Sequence, residues 1–268
     1  MHRIVAIAVM SFRRLLRTRI LAVALVLAAL VPGTYSAILI PMIVAGKSGH
    51  FAEIQSMLPM FFSMVVGTFG IVASLIALII GVTLVRREMT DGTIYGVLSK
   101  PVSRGEYVMG NALGGFGMLT SVWILFGLVL MLVGAIVGSP LQPMHYAVVA
   151  GHLLRSSIAL TVALLFSTRF NPWGAAALTV LVVNGVGIVK GSAGLLGAFG
   201  LTVPSRIVDV LCFPFPVMDS LSGLTLGQSS LAPAPVAPGF IHLLDYAVVM
   251  VILTYFSFRR LELNRTAD

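Results

Sequence analysis

A single cysteine, Cys212, stands in 268 residues, so the chain carries no internal disulfide and no cysteine-based metal site. Charge is almost as scarce. Only 10% of the residues are Asp, Glu, Lys or Arg against 58% hydrophobic ones, and the mean hydropathy is +1.05; this excludes a soluble globular domain and indicates an integral membrane protein. Acids are the rarer sign, nine against seventeen bases. The resulting charge of +8 does not indicate nucleic acid, because the bases collect at the ends of apolar runs instead of covering one soluble face.

Signatures of ATP and metal chemistry are missing as well. The nearest approach to a P-loop, Gly46-Lys47-Ser48, fails because Pro41 stands where the leading glycine is required and no buried strand precedes it. No His-Glu-x-x-His, no Gly-x-Ser-x-Gly and no paired carboxylates within an apolar run occur, so the chain is not expected to be an enzyme. The 13 methionines are scattered, as fillers of a membrane bundle are, and mark no metal path. No metal or cofactor is expected on this chain.

What is present is a series of long apolar runs. They fall at 20–44, 57–85, 108–137, 143–168, 172–190 and 241–258, each near or above the roughly 20 residues that cross a bilayer as a helix. The first is too long for a secretory h-region and is read as a retained span. The expected architecture is therefore one all-α transmembrane domain over 1–268, six helices with both termini on one side. Placing that side in the cytoplasm puts thirteen bases inside, including Arg3, Arg13, Arg14, Arg17, Arg86, Arg87 and Arg169. Only Lys47, Lys190 and Arg206 fall outside, as the positive-inside rule requires. A bacterial or archaeal plasma membrane fits this arrangement.

Residues 2–19 predict a basic amphipathic helix. At about 100° per residue Arg3, Arg13, Arg14 and Arg17 share an arc of roughly 100°, with Ile4, Val5, Ala8, Phe12, Leu15 and Leu16 opposite, so the helix is expected to lie on the lipid surface. The external connections are expected to be short around 46–56 and 138–142 and long at 191–240. Within the last, the apolar stretch between Arg206 and Leu221 is expected to sit in the outer interface or dip into the membrane, and the Pro-rich piece ending at Pro238 to stay irregular.

The most informative stretch is the polar island 86–107, RREMTDGTIYGVLSKPVSRGEY, which mixes charges of both signs between two spans. Thr90 or Asp91 is suited to cap a short helix that Pro101 ends, and Ser103 with Glu106 forms an S-x-x-E capping box opening the next span. A loop that only obeyed topology would be basic; the acids Glu88, Asp91 and Glu106 suit complementary pairing with a protein. This stretch resembles the cytoplasmic loop between the second and third helices of ABC-2 type transporter permeases. The matching residues are Arg87-Glu88, Gly92-Thr93, Leu98 and the run from Lys100 and Pro101 through Val102, Ser103, Arg104, Gly105 and Glu106 to Tyr107.

The resemblance implies a coupling helix docked on a separate ATP-binding subunit, which would carry the ATP and Mg. It also implies a homodimer or pairing with a similar permease, a surface helix at the amino terminus, and outward movement of a substrate. The Lys-Pro-Val-Ser-Arg form of the loop is shared with permeases associated with multicopper-enzyme maturation. A different class, a non-transporting scaffold or signal-transmitting subunit coupled to an ATPase, would use the same loop to move an external partner. An ion-driven transporter would require acids buried mid-span, and only Asp245 is a candidate.

Few polar residues interrupt the spans. Arg155 falls near mid-depth of its run and can meet an anionic substrate or a partner carboxylate, or snorkel outward beside His152. Asn184 suits a hydrogen bond between helices or a place on a substrate pathway, and Asp245 with His242 is expected at the outer interface. Gly110 and Gly114, Gly134 and Gly138, and Gly187 and Gly191 have the small-x-x-x-small spacing that lets helices approach closely.

Overall fold

The computed structural model describes residues 2–17, 51–90, 103–137, 143–198 and 236–259, with isolated positions between 22 and 37 and residues 207–208. Among these, regular structure is helical throughout. Six helices have defined bounds: α1 (His2–Leu16), α2 (Phe51–Thr90), α3 (Arg104–Val137), α4 (Pro143–Ser167), α5 (Pro172–Ala198) and α6 (Val236–Arg259). Met64–Leu84, Gly105–Ala135 and Val148–Ser167 are long and apolar enough to cross a membrane, and Pro172–Gly185 and Leu244–Phe258 are shorter apolar stretches.

Local chemistry fixes several of these ends. Ser103 caps α3, while Pro143 and Pro172 open α4 and α5 at positions where a missing N–H costs nothing. Asn171 caps α5 by accepting from the Gly174 N–H at 2.7 Å. Between α4 and α5 the chain reverses in a few residues, with Arg169 N–H and Phe170 N–H both donating to the Phe166 carbonyl.

Three expected boundaries are corrected. α2 extends from Phe51 to Thr90, taking in 51–56 of the supposed outer loop and, at its other end, Arg86 to Thr90, where neither Gly nor Pro that could break it occurs between Gly81 and Gly92. At 40 residues it is about 60 Å long, twice a hydrocarbon layer. Thr90 is thus the last residue of α2, and Asp91, the other residue suited to cap a following helix, lies outside the described residues. α5 runs past Lys190 to Ala198; its glycines there are of the kind membrane helices tolerate. α6 begins at Val236, so the end of the Pro-rich piece is helical. Pro238 lies in the first turn, where N–H groups have no intrahelical acceptor to lose.

Successive helices alternate in direction. Gly70 of α2 lies beside His152 and Gly81 beside Ala163, so α2 and α4 run parallel. α3 runs against both, with Phe69 of α2 at Trp123 and Phe126, and Gly115 at Ile80 and Leu160. α6 runs parallel to α4, its Ser257 beside Thr168 and its Tyr246 and Met250 against Ile158 and Val162. The start of α3, the α4–α5 turn and the end of α6 therefore share one end of the bundle.

The core is aromatic at its centre. Phe69 stacks on Phe126 at 3.7 Å between centroids, and Trp123 meets both rings edge-on at 5.0 and 5.6 Å. In lipid such contacts hold helices together by close packing, since burial against hydrocarbon alone gains little.

α1 docks on α3 with a face different from the one expected. Ile7, Ser11 and Leu15 are buried, whereas Val5 and Leu16 are exposed. The reason is the pair Gly110 and Gly114. A Cβ on Gly110 would stand 2.6 Å from Ile7 Cβ, and one on Gly114 would stand 2.8 Å from the Ala8 carbonyl and 2.8 Å from Ser11 Cβ, so only glycine admits α1 this closely. Ser11 Oγ then donates to Asn111 Oδ1 at 2.6 Å. The helix lies lengthwise along the first turns of α3, running the same way.

Candidate functional site

Two groups of polar residues stand out, one at the end of the bundle and one within it. At the end, the capping box forms as the sequence predicts: Ser103 N–H donates to Glu106 Oε2 at 2.8 Å and Glu106 N–H donates to Ser103 Oγ at 3.2 Å. Tyr107 N–H closes the first turn on the Ser103 carbonyl at 3.1 Å. Tyr107 is fully buried and stacks on Phe258 of α6 at 5.5 Å, and Gly105 lies against the ring of Tyr255. Three residues into α3, the chain is thus held by a cap, by α6 on one side and by α1 at Gly110. Next to it, Thr168 and Ser257 share a hydrogen bond of 2.8 Å, and Arg169 Nε donates to Ser257 Oγ at 3.1 Å.

Of the residues assigned to a coupling element, Ser103 and Glu106 occupy this joint. Asp91, Gly92, Thr93, Leu98, Lys100 and Pro101 lie outside the described residues, as do the side chains of Arg87, Glu88 and Arg104. The backbone of Arg87 and Glu88 continues α2 beyond its apolar span and delivers them to this same end.

Within the bundle, Arg155 and Asn184 meet. Arg155 Nη2 donates to Asn184 Oδ1 at 2.9 Å, and the Asn184 amide donates to the Val180 carbonyl at 2.9 Å, which fixes its flip. The partner that Arg155 has here is thus a neutral amide of the neighbouring helix, neither an anion nor a group at the outer surface. Its Nε is buried and has no hydrogen-bond partner among the described residues. One turn away His152 is half-buried and stacks against Trp123 at 6.2 Å and 18°. Both His152 ring nitrogens and Trp123 Nε1 also lack partners among the described residues.

Helix register gives these residues a common height. Arg155 precedes Ser167 by twelve residues, Asn184 follows Pro172 by twelve, and Asp245 precedes Ser257 by twelve, each about 18 Å from the same end at 1.5 Å per residue. That distance is roughly the middle of a hydrocarbon layer. Asp245 stands nine residues into α6, at the opening of its apolar stretch Leu244–Phe258. It points away from the side of α6 that packs: Tyr246, Ala247 and Met250 face α4, while Asp245 shares an exposed stripe with Ile241, Leu244, Val248 and Ile252.

That Asp245 shares the height of Arg155 was not read from the sequence, nor were Trp123 beneath His152 and the Ser11–Asn111 pair. Each depends on the register between helices, which no motif carries. The only sequence signal was that all three mid-depth polar residues stand twelve positions from a Ser or Pro at one end.

A cleft of about 330 Å³ opens between α3 and α4, lined by Phe62, Thr120, Trp123, Leu128, Met131 and Leu153 among others. Among the described residues no group of three His, Cys, Asp or Glu side chains is arranged to hold a metal ion. No protein-family model and no curated protein matches the chain.

Proposed function

We propose that the chain is the permease subunit of an ABC-2 type exporter, working as a pair of permeases with a separate ATP-binding subunit and moving a substrate outward. The observation that carries this reading is the joint at Ser103–Tyr107. A loop of mixed charge enters it from the extended end of α2, and the joint is capped, stacked on α6 and flanked by α1. Force that a partner delivers to Ser103–Tyr107 would reach three helices together. A loop serving only as a connection has no need of that bracing.

In this mechanism, closure of the ATP-binding subunits pushes on the charged end of α2 and the following loop. α3, α6 and α1 then tilt together, and the permease interface opens outward. The apolar cleft beside Trp123 is suited to the apolar part of a cargo.

The test is co-purification from the native host in mild detergent. The wild-type chain is expected to bring an ATP-binding protein with it, and Glu88→Arg to lose that protein at unchanged permease yield. Absence of any ATP-binding protein under several mild conditions would overturn the proposal, and equal recovery with Glu88→Arg would remove the loop from the contact.

A further inference from the structure

We infer that the exposed faces of α5 and α6 form the contact between two copies of this chain, with Arg155 of each protomer facing Asp245 of the other. The inference rests on the homodimer part of the proposed function and goes beyond it by naming the surface and its charges.

Three observations carry it. First, Arg155 and Asp245 lie at one height, about 18 Å from the same end, so a two-fold axis along the membrane normal would bring them level. Second, they cannot pair within a protomer. α6 turns Tyr246, Ala247 and Met250 toward α4, and Asp245 projects from its opposite side. Third, Asp245 and Asn184, the neutral partner of the half-buried Arg155, each sit in an exposed apolar surface. Val180, Leu181 and Ile188 flank Asn184 on α5, and Ile241, Leu244 and Val248 flank Asp245 on α6, all of them exposed. A guanidinium or a carboxylate facing hydrocarbon is strongly disfavoured, and each supplies what the other lacks.

The two stripes also match along their length. Running in opposite directions from the shared end, α5 and α6 set Leu181 level with Val248, Asn184 with Asp245 and Ile188 with Ile241. An α5 face laid on the partner's α6 face would therefore close a polar rung between two apolar ones, twice over.

The experiment uses two differently tagged full-length chains co-expressed in their native membrane, both carrying Cys212→Ser. One carries Leu181→Cys and the other Val248→Cys, so that only a contact between copies yields an oxidised dimer. A dimer is expected with the native charges. Arg155→Asp in both copies, or Asp245→Arg in both, is expected to lower the cross-linked fraction about tenfold or more, and the combined exchange to restore most of it. Restoration by the double exchange separates lost contact from lost folding, and Asp245→Asn, the mildest change, is expected to fall between.

No cross-link with native charges, or a double exchange no better than the singles, would overturn the inference. So would loss of the cross-link on Asp209→Asn or Asp219→Asn, which would make another acid the partner of Arg155. A cross-linked dimer that brings no ATP-binding protein would leave this contact standing and sink the proposed function. Recovery of that protein without the cross-link would do the reverse.

Discussion

The end of the bundle and its middle treat polar groups in opposite ways. At Ser103–Tyr107 both members of the capping box are satisfied within the chain, and the hydroxyls of Thr168 and Ser257 answer each other nearby. At the level of Arg155, by contrast, the guanidinium keeps one neutral partner, and His152, Trp123 and Arg155 Nε have none among the described residues. Among the described residues the end is complete within one chain, and the middle leaves polar groups open. A finished joint suits transmission of force, and an unfinished polar layer in an apolar bundle suits recognition, because buried polar groups are strongly disfavoured until they are paired.

The sharpest way to break this contrast is to enlarge it. Asn184→Leu leaves the Arg155 guanidinium without its acceptor and is expected to destabilise the monomer in detergent by about 2 kcal/mol, read as a lower unfolding midpoint. If the midpoint holds, the Arg155–Asn184 bond is incidental. Ser103→Ala removes one half of the capping box and is expected to cost about 1 kcal/mol, with faster amide exchange confined to the first turn of α3. Exchange that spreads through the whole of α3 would show that the joint is not a local device. The smallest effect belongs to Arg155→Met, which replaces an incompletely paired charge by an apolar chain of similar length. The monomer is expected to be as stable as before or slightly more so, while association and transport fall. A large loss of monomer stability would mean that the middle layer serves folding first.

These contrasts also divide what was legible in the sequence from what was not. Pro143, Pro172 and the Ser103–Glu106 spacing mark the starts of three helices because caps and prolines act within one turn. The close approach permitted by Gly110 and Gly114 was legible too, though not that α1 would fill it. What escaped reading was extension without punctuation, as in α2 beyond Val85 and α5 beyond Lys190, where an apolar run ends but nothing halts the helix. Register between helices escaped as well. The buried stripe of α1 is Ile7, Ser11 and Leu15 because α3 offers glycines and Asn111 there, and a helical wheel of α1 alone cannot contain that fact. The site followed the same rule. Arg155, Asn184 and Asp245 could each be singled out as rare polar residues, but their common height is a property of the assembled bundle.

The bond between Ser11 and Asn111 joins residues 100 positions apart, and the glycines that receive α1 lie in that same late segment. At a synthesis rate of about 5–20 residues per second, α1 leaves the ribosome roughly 5–20 s before its landing place exists. During that interval its arginines and its apolar flank have only the membrane surface to rest on. The amphipathic character of α1 is thus a waiting state written into the chain, one that keeps this segment at the bilayer until the third turn of α3 arrives to claim it.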